Sequence, residues 1–396
     1  LKKDGNFIQL YSNYQFSEAF LGIQEEKLPN LNNFSTFDIG LNTRFQLNKK
    51  LSLNSFSYFI DEDFSGFREQ FTYRGDFDSA KTRGFSINNL NYASEQGFFN
   101  VNFGFNSETQ DFAFGNTISL QKTDQLFTSI NHKIKLGQDI SHQTTLSWDA
   151  FSTNFENQIP EFFYASAPES PTSASIFDET NAILEIGSYT SWNASDDILV
   201  SAGWRTNFPN SGQVNYWSYQ LGLRYNFNGQ NSLLLSGGKY HNYTTPSFFI
   251  QQYNLLDSRQ IAFDYTYTAE RTNITAAVYY KDERGLQTVN QFLFSDNLET
   301  TGAELFFEQQ LSDRLKFSIA YSYLNQNTTS GETTFPGLRD YDYFIKSSLE
   351  YTPKNGPSFS LNWLARPGQR FTPIIDGTFD ENTSFFEPIF DGEFLN

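Results

Sequence analysis

An apolar/polar alternation with a period of two residues is the feature that most constrains the fold of this chain. From Phe37 to Leu47 every second residue is apolar or threonine, and the same pattern returns from Trp217 to Phe227. Successive side chains of a β-strand point to opposite faces, so each segment predicts a strand with one apolar and one polar face. At about eleven residues such a strand can cross a bilayer when tilted, whereas strands of soluble proteins usually have about five or six.

The composition fits membrane-crossing strands better than membrane-crossing helices. The 396 residues include 44 Phe, 22 Tyr and 5 Trp, yet only 38% of the chain is hydrophobic and the mean hydropathy is −0.51. No run approaches the roughly 18 apolar residues of a transmembrane helix. A β-barrel tolerates this composition because half of each strand faces a polar lumen. The net charge of −18 argues against nucleic acid as a partner.

The connections between the predicted strands are alternately short and long. The short ones carry the Asn, Asp and Gly that tight hairpins favour. They are residues 48–50, 194–197, 228–230, 270–271, 312–313 and 354–356. The long ones run over residues 18–33, 156–181, 241–258, 282–299 and 325–340. Short turns on one rim and long loops on the other are typical of outer-membrane barrels, where the long loops are extracellular.

The fold predicted for residues 1–396 is therefore all-β: one domain forming part of a transmembrane antiparallel up-and-down barrel in the outer membrane. The alternation stays in phase if residues 67–73 form an extra strand, which gives 18–19 strands. Residues 371–396 read as a loop that does not return as a strand. Closed bacterial barrels have an even number of strands and no bare edges in lipid, so we expect the intact barrel to contain more strands. A chain without methionine is also expected to be processed or partial.

The residue types that catalysis and metal binding need are scarce. The chain has no cysteine and only three histidines, His132, His142 and His241, without the spacing of a zinc site. It contains no nucleophile elbow, phosphate-binding loop or dinucleotide-binding glycine motif. His132 falls within a polar strand and is interpreted as a wall residue. We expect no catalytic residues, no metal and no cofactor.

Aromatic residues near the strand ends, such as Tyr225 and Phe227, predict an aromatic girdle at the membrane boundary. Two aromatic clusters fall in the long connections instead, and exposed aromatic clusters on loops often mark recognition surfaces. The alternative is that they pack on each other or on a plug in the lumen, and both interpretations stay open. The candidate ligand-binding residues are Phe162, Phe163, Tyr164, His241, Tyr243, Phe248 and Phe249.

From about Asp257 onward the order of motifs resembles the C-terminal part of a TonB-dependent receptor barrel. The matching segments are Tyr279-Tyr280-Lys281, the strand start Thr301-Gly302-Ala303-Glu304-Leu305, Tyr321-Ser322-Tyr323, and Arg366-Pro367-Gly368-Gln369-Arg370-Phe371-Thr372-Pro373. Upstream, the strand ending in Gly238-Lys239-Tyr240 is similar to another family strand, and Arg339-Asp340-Tyr341-Asp342 matches in part, without the family's basic pair.

The resemblance implies a barrel of 22 strands that imports a scarce ligand through a lumen gated by a plug domain. It also implies partners: outer-membrane lipids, the TonB complex acting through the plug, a small-molecule, glycan or peptide ligand, and a surface lipoprotein at the extracellular rim. The family's plug, TonB box and aromatic final residue are not found in the sequence. Three alternatives stay open: a passive porin-like channel, a structural or adhesive barrel in a larger surface assembly, and an outer-membrane hydrolase.

Overall fold

The structure, a computed structural model, describes residues 2–3, 5–17, 30–70, 73–161, 165–210, 214–244, 246, 252–288, 294–337, 340–368, 374–380 and 385–390. Nearly all of them lie in strands. The strands are β1 (Lys2–Lys3), β2 (Asn6–Phe16), β3 (Leu31–Gln46), β4 (Leu51–Gln70), β5 (Tyr73–Ala93), β6 (Gly97–Phe114), β7 (Thr117–Lys135), β8 (Ile140–Pro160), β9 (Thr172–Asn193), β10 (Ile198–Pro209), β11 (Trp217–Asn228), β12 (Asn231–Tyr243), β13 (Leu255–Ala269), β14 (Thr272–Thr288), β15 (Phe294–Ser312), β16 (Leu315–Ser330), β17 (Thr333–Pro336), β18 (Tyr341–Tyr351), β19 (Phe359–Ala365), β20 (Ile374–Asp380) and β21 (Phe385–Phe390). No helix in these ranges is long and apolar enough to cross a membrane.

Strands β1 to β19 belong to one antiparallel sheet in which each strand is paired with its neighbours along the chain. Strands β17 and β18 both pair with β16, each with a different part of it, so they share one position. The nineteen strands therefore fill eighteen positions. This arrangement confirms the predicted up-and-down antiparallel barrel with 18–19 visible strands.

Strand β11 shows how the alternation builds an apolar face. Its large odd-numbered residues are all well exposed, from 44% at Tyr225 and Phe227 to 62% at Leu221. Hydrophobic side chains left this exposed on one face of a sheet need an apolar solvent. The ten steps from Phe227 to Trp217, at about 3.3 Å each and a tilt of about 40°, give a band about 25 Å tall, which matches the apolar band of outer-membrane barrels.

The apolar band ends where charged residues replace hydrophobic ones on the same face. Ile261 pairs with Tyr280, and two residues further along the strands Arg259 pairs with Asp282. On the neighbouring strand Lys239 forms an ion pair with Asp257, its Nζ lying 2.7 Å from the carboxylate. Residues beyond this level, including the end of β12, therefore lie outside the membrane-spanning segments.

The six predicted short turns all lie at connections on one rim of the sheet, here called the turn side. Four predictions about the opposite rim, the loop side, are wrong. Residues 67–73 are not a separate strand, because β4 and β5 form one long hairpin that closes at the Gln70–Tyr73 pair. The predicted loop at 156–181 is mostly strand, because β8 continues to Pro160 and β9 begins at Thr172. The predicted loops at 282–299 and 325–340 are mostly strand as well: β14 continues to Thr288 and β15 begins at Phe294, while β16 continues to Ser330 and is followed by β17. Backbone pairing continues there after the alternation that revealed the membrane segment has faded.

The tail also differs from its prediction. Residues 374–390 include an antiparallel hairpin, β20–β21, that is separate from the large sheet. The β-branched and aromatic residues in these two segments favour strands. Proline does not prevent this pairing: Pro388 lies opposite Gly377.

The polar face of the sheet is held by hydrogen bonds between side chains of neighbouring strands. Across β5 to β8, Asn89 Nδ2 donates to Asn102 Oδ1 at 2.6 Å, and Asn102 Nδ2 donates to Ser129 Oγ at 2.9 Å. Thr145 Oγ1 donates to Asn131 Oδ1 at 2.8 Å. In a barrel with an apolar exterior, this polar face is the lumen wall.

Candidate ligand-binding surface

The structure describes two of the seven candidate ligand-binding residues and places both at the loop side. His241 and Tyr243 lie at the loop-side end of β12 rather than in a loop. His241 is buried and Tyr243 half-buried. The other five candidates lie outside the described residues. They are Phe162, Phe163, Tyr164, Phe248 and Phe249.

His241 belongs to a compact group of side chains from β9 to β12, here called the Tyr216 cluster (Glu185, Arg205, Tyr216, Ser218 and His241). The imidazole is stacked on the Tyr216 ring, with centroids 5.0 Å apart and planes 14° from parallel. Its Nδ1 lies 3.0 Å from Ser218 Oγ, and Arg205 Nη2 donates to the His241 carbonyl oxygen at 2.9 Å. Ring stacking, a side-chain hydrogen bond and a hydrogen bond to its carbonyl oxygen thus hold His241 in place.

The carboxylate of Glu185 connects the same cluster to the next strands. The Tyr216 hydroxyl donates to Glu185 Oε1, and Ser147 Oγ donates to Oε2 at 3.3 Å. Arg205 Nη1 lies 3.6 Å from Oε1, while its guanidinium carbon lies 5.5 Å from the centre of the Tyr216 ring. One carboxylate therefore accepts from a tyrosine and a serine and neutralises one arginine.

Burial determines the charge state of His241. It lowers the pKa of the imidazole below the ordinary value of 6.5, and the nearby cations Lys239 and Arg205 act in the same direction. Asp257 opposes the shift. The neutral form is therefore the one that fits between Tyr216 and Ser218 at neutral pH.

Tyr243 joins the Tyr216 cluster to a second group. Its hydroxyl donates to the Val214 carbonyl oxygen at 2.5 Å and accepts from Asn207 Nδ2 at 3.1 Å. Asn207 is fully buried, and its Oδ1 accepts from the Tyr216 amide at 2.7 Å. This network holds residues 214–216, which precede β11, against β10 and β12.

The second group, the Tyr253 cluster (Phe151, Phe155, Phe177 and Tyr253), is the aromatic core of the described region. Phe155 and Phe177 are stacked with centroids 5.0 Å apart, and the ring of Tyr253 meets Phe151 edge-on at 4.8 Å. The Tyr253 hydroxyl donates to Thr153 Oγ1 at 2.9 Å, and burial raises the pKa of the phenol. Tyr243 packs against the same cluster. Residues 252–254 therefore fold inward onto the polar face of β8 and β9.

A second loop-side contact joins residues 165–170 to the turn between β6 and β7. Gly115 has a φ of 56°, a conformation that favours glycine, and a Cβ there would overlap the Ser166 carbonyl oxygen. Asn116 donates from its amide to Ser166 O at 3.1 Å and from Nδ2 to Ala165 O at 2.9 Å. Residues 165–170 are thus packed against the β6–β7 turn.

The structure brings together a serine and a histidine, Ser218 and His241, whose pairing no sequence motif indicated. Ser218 is 5% exposed and His241 is 7% exposed, so the pair is enclosed by Tyr216 and offers no open face to a substrate. The contact serves packing in this arrangement. Within the described ranges, no group of three His, Asp or Glu side chains is placed to hold a metal ion.

Sequence reasoning missed Glu185, Arg205, Tyr216 and Tyr253. The first two carried a weak signal, because each is a charged residue on the polar side of an alternating strand. Their proximity depends on the β9–β10 register, in which Arg205 lies opposite Gly187. The two tyrosines lie outside the strands, so the apolar/polar alternation could not indicate which way their side chains point.

Comparison with solved structures identifies the fold. The ferric yersiniabactin uptake receptor FyuA from Yersinia pestis matches with a TM-score of 0.69 at 13% identity, over 84% of this chain and 59% of the receptor. The siderophore receptor PirA from Pseudomonas aeruginosa matches at 0.65 and 10%, over 92% of this chain and 66% of the receptor. The copper transporter OprC matches at 0.67 and 9%, over 92% of this chain and 62% of the transporter.

The fold is that of the TonB-dependent receptor barrel. This confirms the resemblance that the C-terminal motifs predicted. The chain spans about three fifths to two thirds of the length of these receptors. No family model and no curated protein sequence matches the chain.

Proposed function

We propose that this chain forms most of the barrel wall of an outer-membrane active transporter that imports a scarce ligand with energy supplied through TonB. The observation that carries the proposal is the match of this sheet to receptor barrels over 84–92% of the chain. The exposed apolar band of β11 supports a membrane location. The similar structures are a ferric yersiniabactin uptake receptor, a siderophore receptor and a copper transporter. By analogy, the proposed ligand is a small molecule or a metal chelate.

The loop-side rim is the proposed capture surface. His241 and Tyr243 shape it by holding residues 214–216 and by packing against the Tyr253 cluster. The loop aromatics Phe162, Phe163, Tyr164, Phe248 and Phe249 are proposed as the residues that meet the ligand. Large aromatic side chains in such a position offer contact area at a small cost in conformational entropy.

The proposed partners follow from the same assignment. Outer-membrane lipids surround the apolar face, and a plug domain in the lumen connects ligand capture to TonB. A lipoprotein at the loop-side rim is a further proposed partner. No covalent chemistry is assigned to the chain.

Uptake in strains lacking either the gene for the intact protein or tonB tests the proposal. We expect accumulation of a labelled ligand, drawn from a panel of ferric and cupric chelates, glycans and peptides, to fall to background in both strains. Uptake that depends on the gene but persists without TonB would indicate a passive channel. Stable purification with surface proteins and no gene-dependent uptake would indicate a structural barrel.

A further inference from the structure

The outward face of β7 can be traced from the apolar band of β11. The register of the sheet joins one row of residues across five strands: Trp217, Thr206, Ile186, Leu146 and Ile130. Trp217 belongs to the apolar face, and Leu146 and Ile130 are 41% and 40% exposed. Side chains alternate along a strand, so the even-numbered residues of β7 face outward, away from the lumen.

On this outward face, apolar residues return beyond the membrane band. Asp124 and Lys122 follow Leu126 towards the loop side, and Lys122 Nζ lies 3.3 Å from Asp124 Oδ2. Charged side chains on the outward face indicate water rather than hydrocarbon. Leu120 and Ile118 come next and are 37% and 52% exposed. At about 3.3 Å per residue and a tilt of about 40°, Leu120 lies about 15 Å above Leu126. Hydrophobic side chains exposed together in water mark an interaction surface.

Leu120 and Ile118 form one side of a depression of about 380 Å³ in this outward face. Ala113 on β6 is paired with Ile118, and Ala80 on β5 lies in the row of Leu120, two strands away. Because alanine side chains are short, the backbone of β5 and β6 forms a low floor beside the larger side chains of β7. The depression is large enough to take an aliphatic side chain of another protein.

Three carboxylates border this floor. Asp63 on β4, Asp78 on β5 and Asp111 on β6 line the depression, and all three are exposed. None of them makes an ion pair in the described part of the chain. Asp63 and Asp111 lie in one row two strands apart, or about 10 Å, which is about one Debye length at 0.1 M salt, so their fields add. The three carboxylates, the two alanines, Ile118 and Leu120 are here called the acidic recess.

We propose that the acidic recess binds a basic and apolar segment of a partner protein outside the membrane. Lysine or arginine side chains of the partner meet Asp63, Asp78 and Asp111, while an aliphatic side chain between them fills the floor against Leu120 and Ile118. The recess faces outward from the sheet, so it lies apart from the lumen. The inference therefore stands independently of the proposed transport function.

Charge complementarity selects this occupant over others. Three carboxylates without a cation partner repel phosphate-bearing lipid headgroups and nucleic acid. A symmetric contact between two copies of the chain would place the same carboxylates opposite one another. A metal ion is not favoured, because no group of three acidic or histidine side chains among the described residues is placed to hold one. A basic protein surface satisfies the charge and the apolar wall together.

Binding of a labelled peptide to the intact protein in phosphatidylcholine nanodiscs tests the proposal. The probe is a fluorescein-labelled heptapeptide that alternates lysine and leucine, and the measurement is fluorescence anisotropy with empty nanodiscs as the blank. One control peptide replaces each lysine with glutamate, and another replaces each leucine with serine. We expect both control peptides to bind at least about fivefold more weakly than the probe.

Variants of the protein test the two parts of the recess separately. Asp63→Asn/Asp111→Asn removes two charges and should weaken probe binding at least about fivefold. Its matched control is Glu332→Gln/Asp342→Asn, which changes the net charge equally at two exposed positions on the β16–β17 turn and β18 and should weaken binding less than about twofold. Leu120→Ser should weaken the lysine–leucine peptide and leave the lysine–serine peptide unchanged.

Absence of probe binding, or equal affinities for the unaltered protein and Asp63→Asn/Asp111→Asn, would overturn the proposal. An adjoining segment of this chain seated in the recess would give the first of these results. An equal loss in Glu332→Gln/Asp342→Asn would indicate attraction to the overall charge and would also reject the site. Labelled lipopolysaccharide binding, or self-association of the protein, that is lost in Asp63→Asn/Asp111→Asn would identify a lipid or a second copy as the occupant and reject the partner protein.

Discussion

Tyrosine rings lie directly over glycines at three cross-strand pairs on the polar face, and one of these pairs gives a sharp test of the packing. The pairs are Tyr11–Gly40, Tyr189–Gly203 and Tyr279–Gly302. A Cβ at Gly302 would overlap the ring of Tyr279. Gly302→Ala therefore forces the tyrosine out of its position or bends the strand, and we expect it to destabilise the barrel.

The sign of the effect separates this clash from the general effect of replacing a strand glycine. Alanine lowers the conformational entropy of the unfolded chain relative to glycine. Where the native backbone angles suit alanine, this raises the free energy of unfolding by about 0.4–1 kcal/mol. Overpacking costs about 1–3 kcal/mol. The difference between these two ranges makes Gly302→Ala net destabilising by up to about 2.6 kcal/mol. Gly104→Ala, on the same polar face with its nearest atom 3.8 Å from the new Cβ, should be neutral or stabilising.

Reversible urea unfolding in phospholipid vesicles, followed by tryptophan fluorescence, measures both variants. Repeating Gly302→Ala in a Tyr279→Ala background completes a double-mutant cycle. Removing the ring removes the clash, so alanine at position 302 should become neutral or stabilising there. Equal stabilities for Gly302→Ala and Gly104→Ala, or the same cost with and without the Tyr279 ring, would refute the reasoning.

Three further predictions concern the membrane band and the loop-side rim. Leu221→Arg, on the apolar face near the middle of β11, should cost about 2–4 kcal/mol in urea unfolding, whereas Gln220→Arg on the polar face should cost less than about 1; equal costs would argue against lipid contact. The folded protein holds the pKa of His241 below 6.5, so the stabilisation by neutral His241 is complete above that pH and is lost as pH falls. The melting temperature should therefore drop less between about pH 7.5 and pH 5 in His241→Gln than in the unaltered protein. Tyr253→Phe removes the hydrogen bond to the Thr153 hydroxyl and should lower the free energy of unfolding by about 0.5–1.5 kcal/mol. Thermolysin should also cleave the chain next to residue 253 faster. An unchanged cleavage rate would contradict the inward docking of residues 252–254.

The membrane segments could be predicted because lipid and lumen impose opposite demands on successive residues. In β11 each large odd-numbered residue is hydrophobic and exposed, so the strand and its faces follow directly from the period. Beyond the apolar band both faces meet water, and the alternation no longer reports the strand. This is why residues 156–160 and 172–181 read as loop although β8 and β9 run through them.

The candidate surface was less predictable, because its contacts join residues that are distant in sequence. Tyr253 and Thr153 are a hundred positions apart, and their hydrogen bond depends on residues 252–254 lying against β8. The stacking of His241 on Tyr216 likewise depends on residues before β11 that carry no periodic pattern. Residue types pointed to His241 and Tyr243, but only the fold shows what they contact.

Strand length connects the membrane-spanning part of the sheet to its loop-side rim. β8 and β9 have 21 and 22 residues, about twice what a tilted strand needs to cross the bilayer. Their outer halves therefore stand beyond the lipid as a hydrogen-bonded ladder, and the Tyr253 cluster is built on that ladder. Side chains on strands are held more precisely than side chains on free loops. The Tyr253 cluster therefore rests on a rigid base, and this base would support the proposed capture surface.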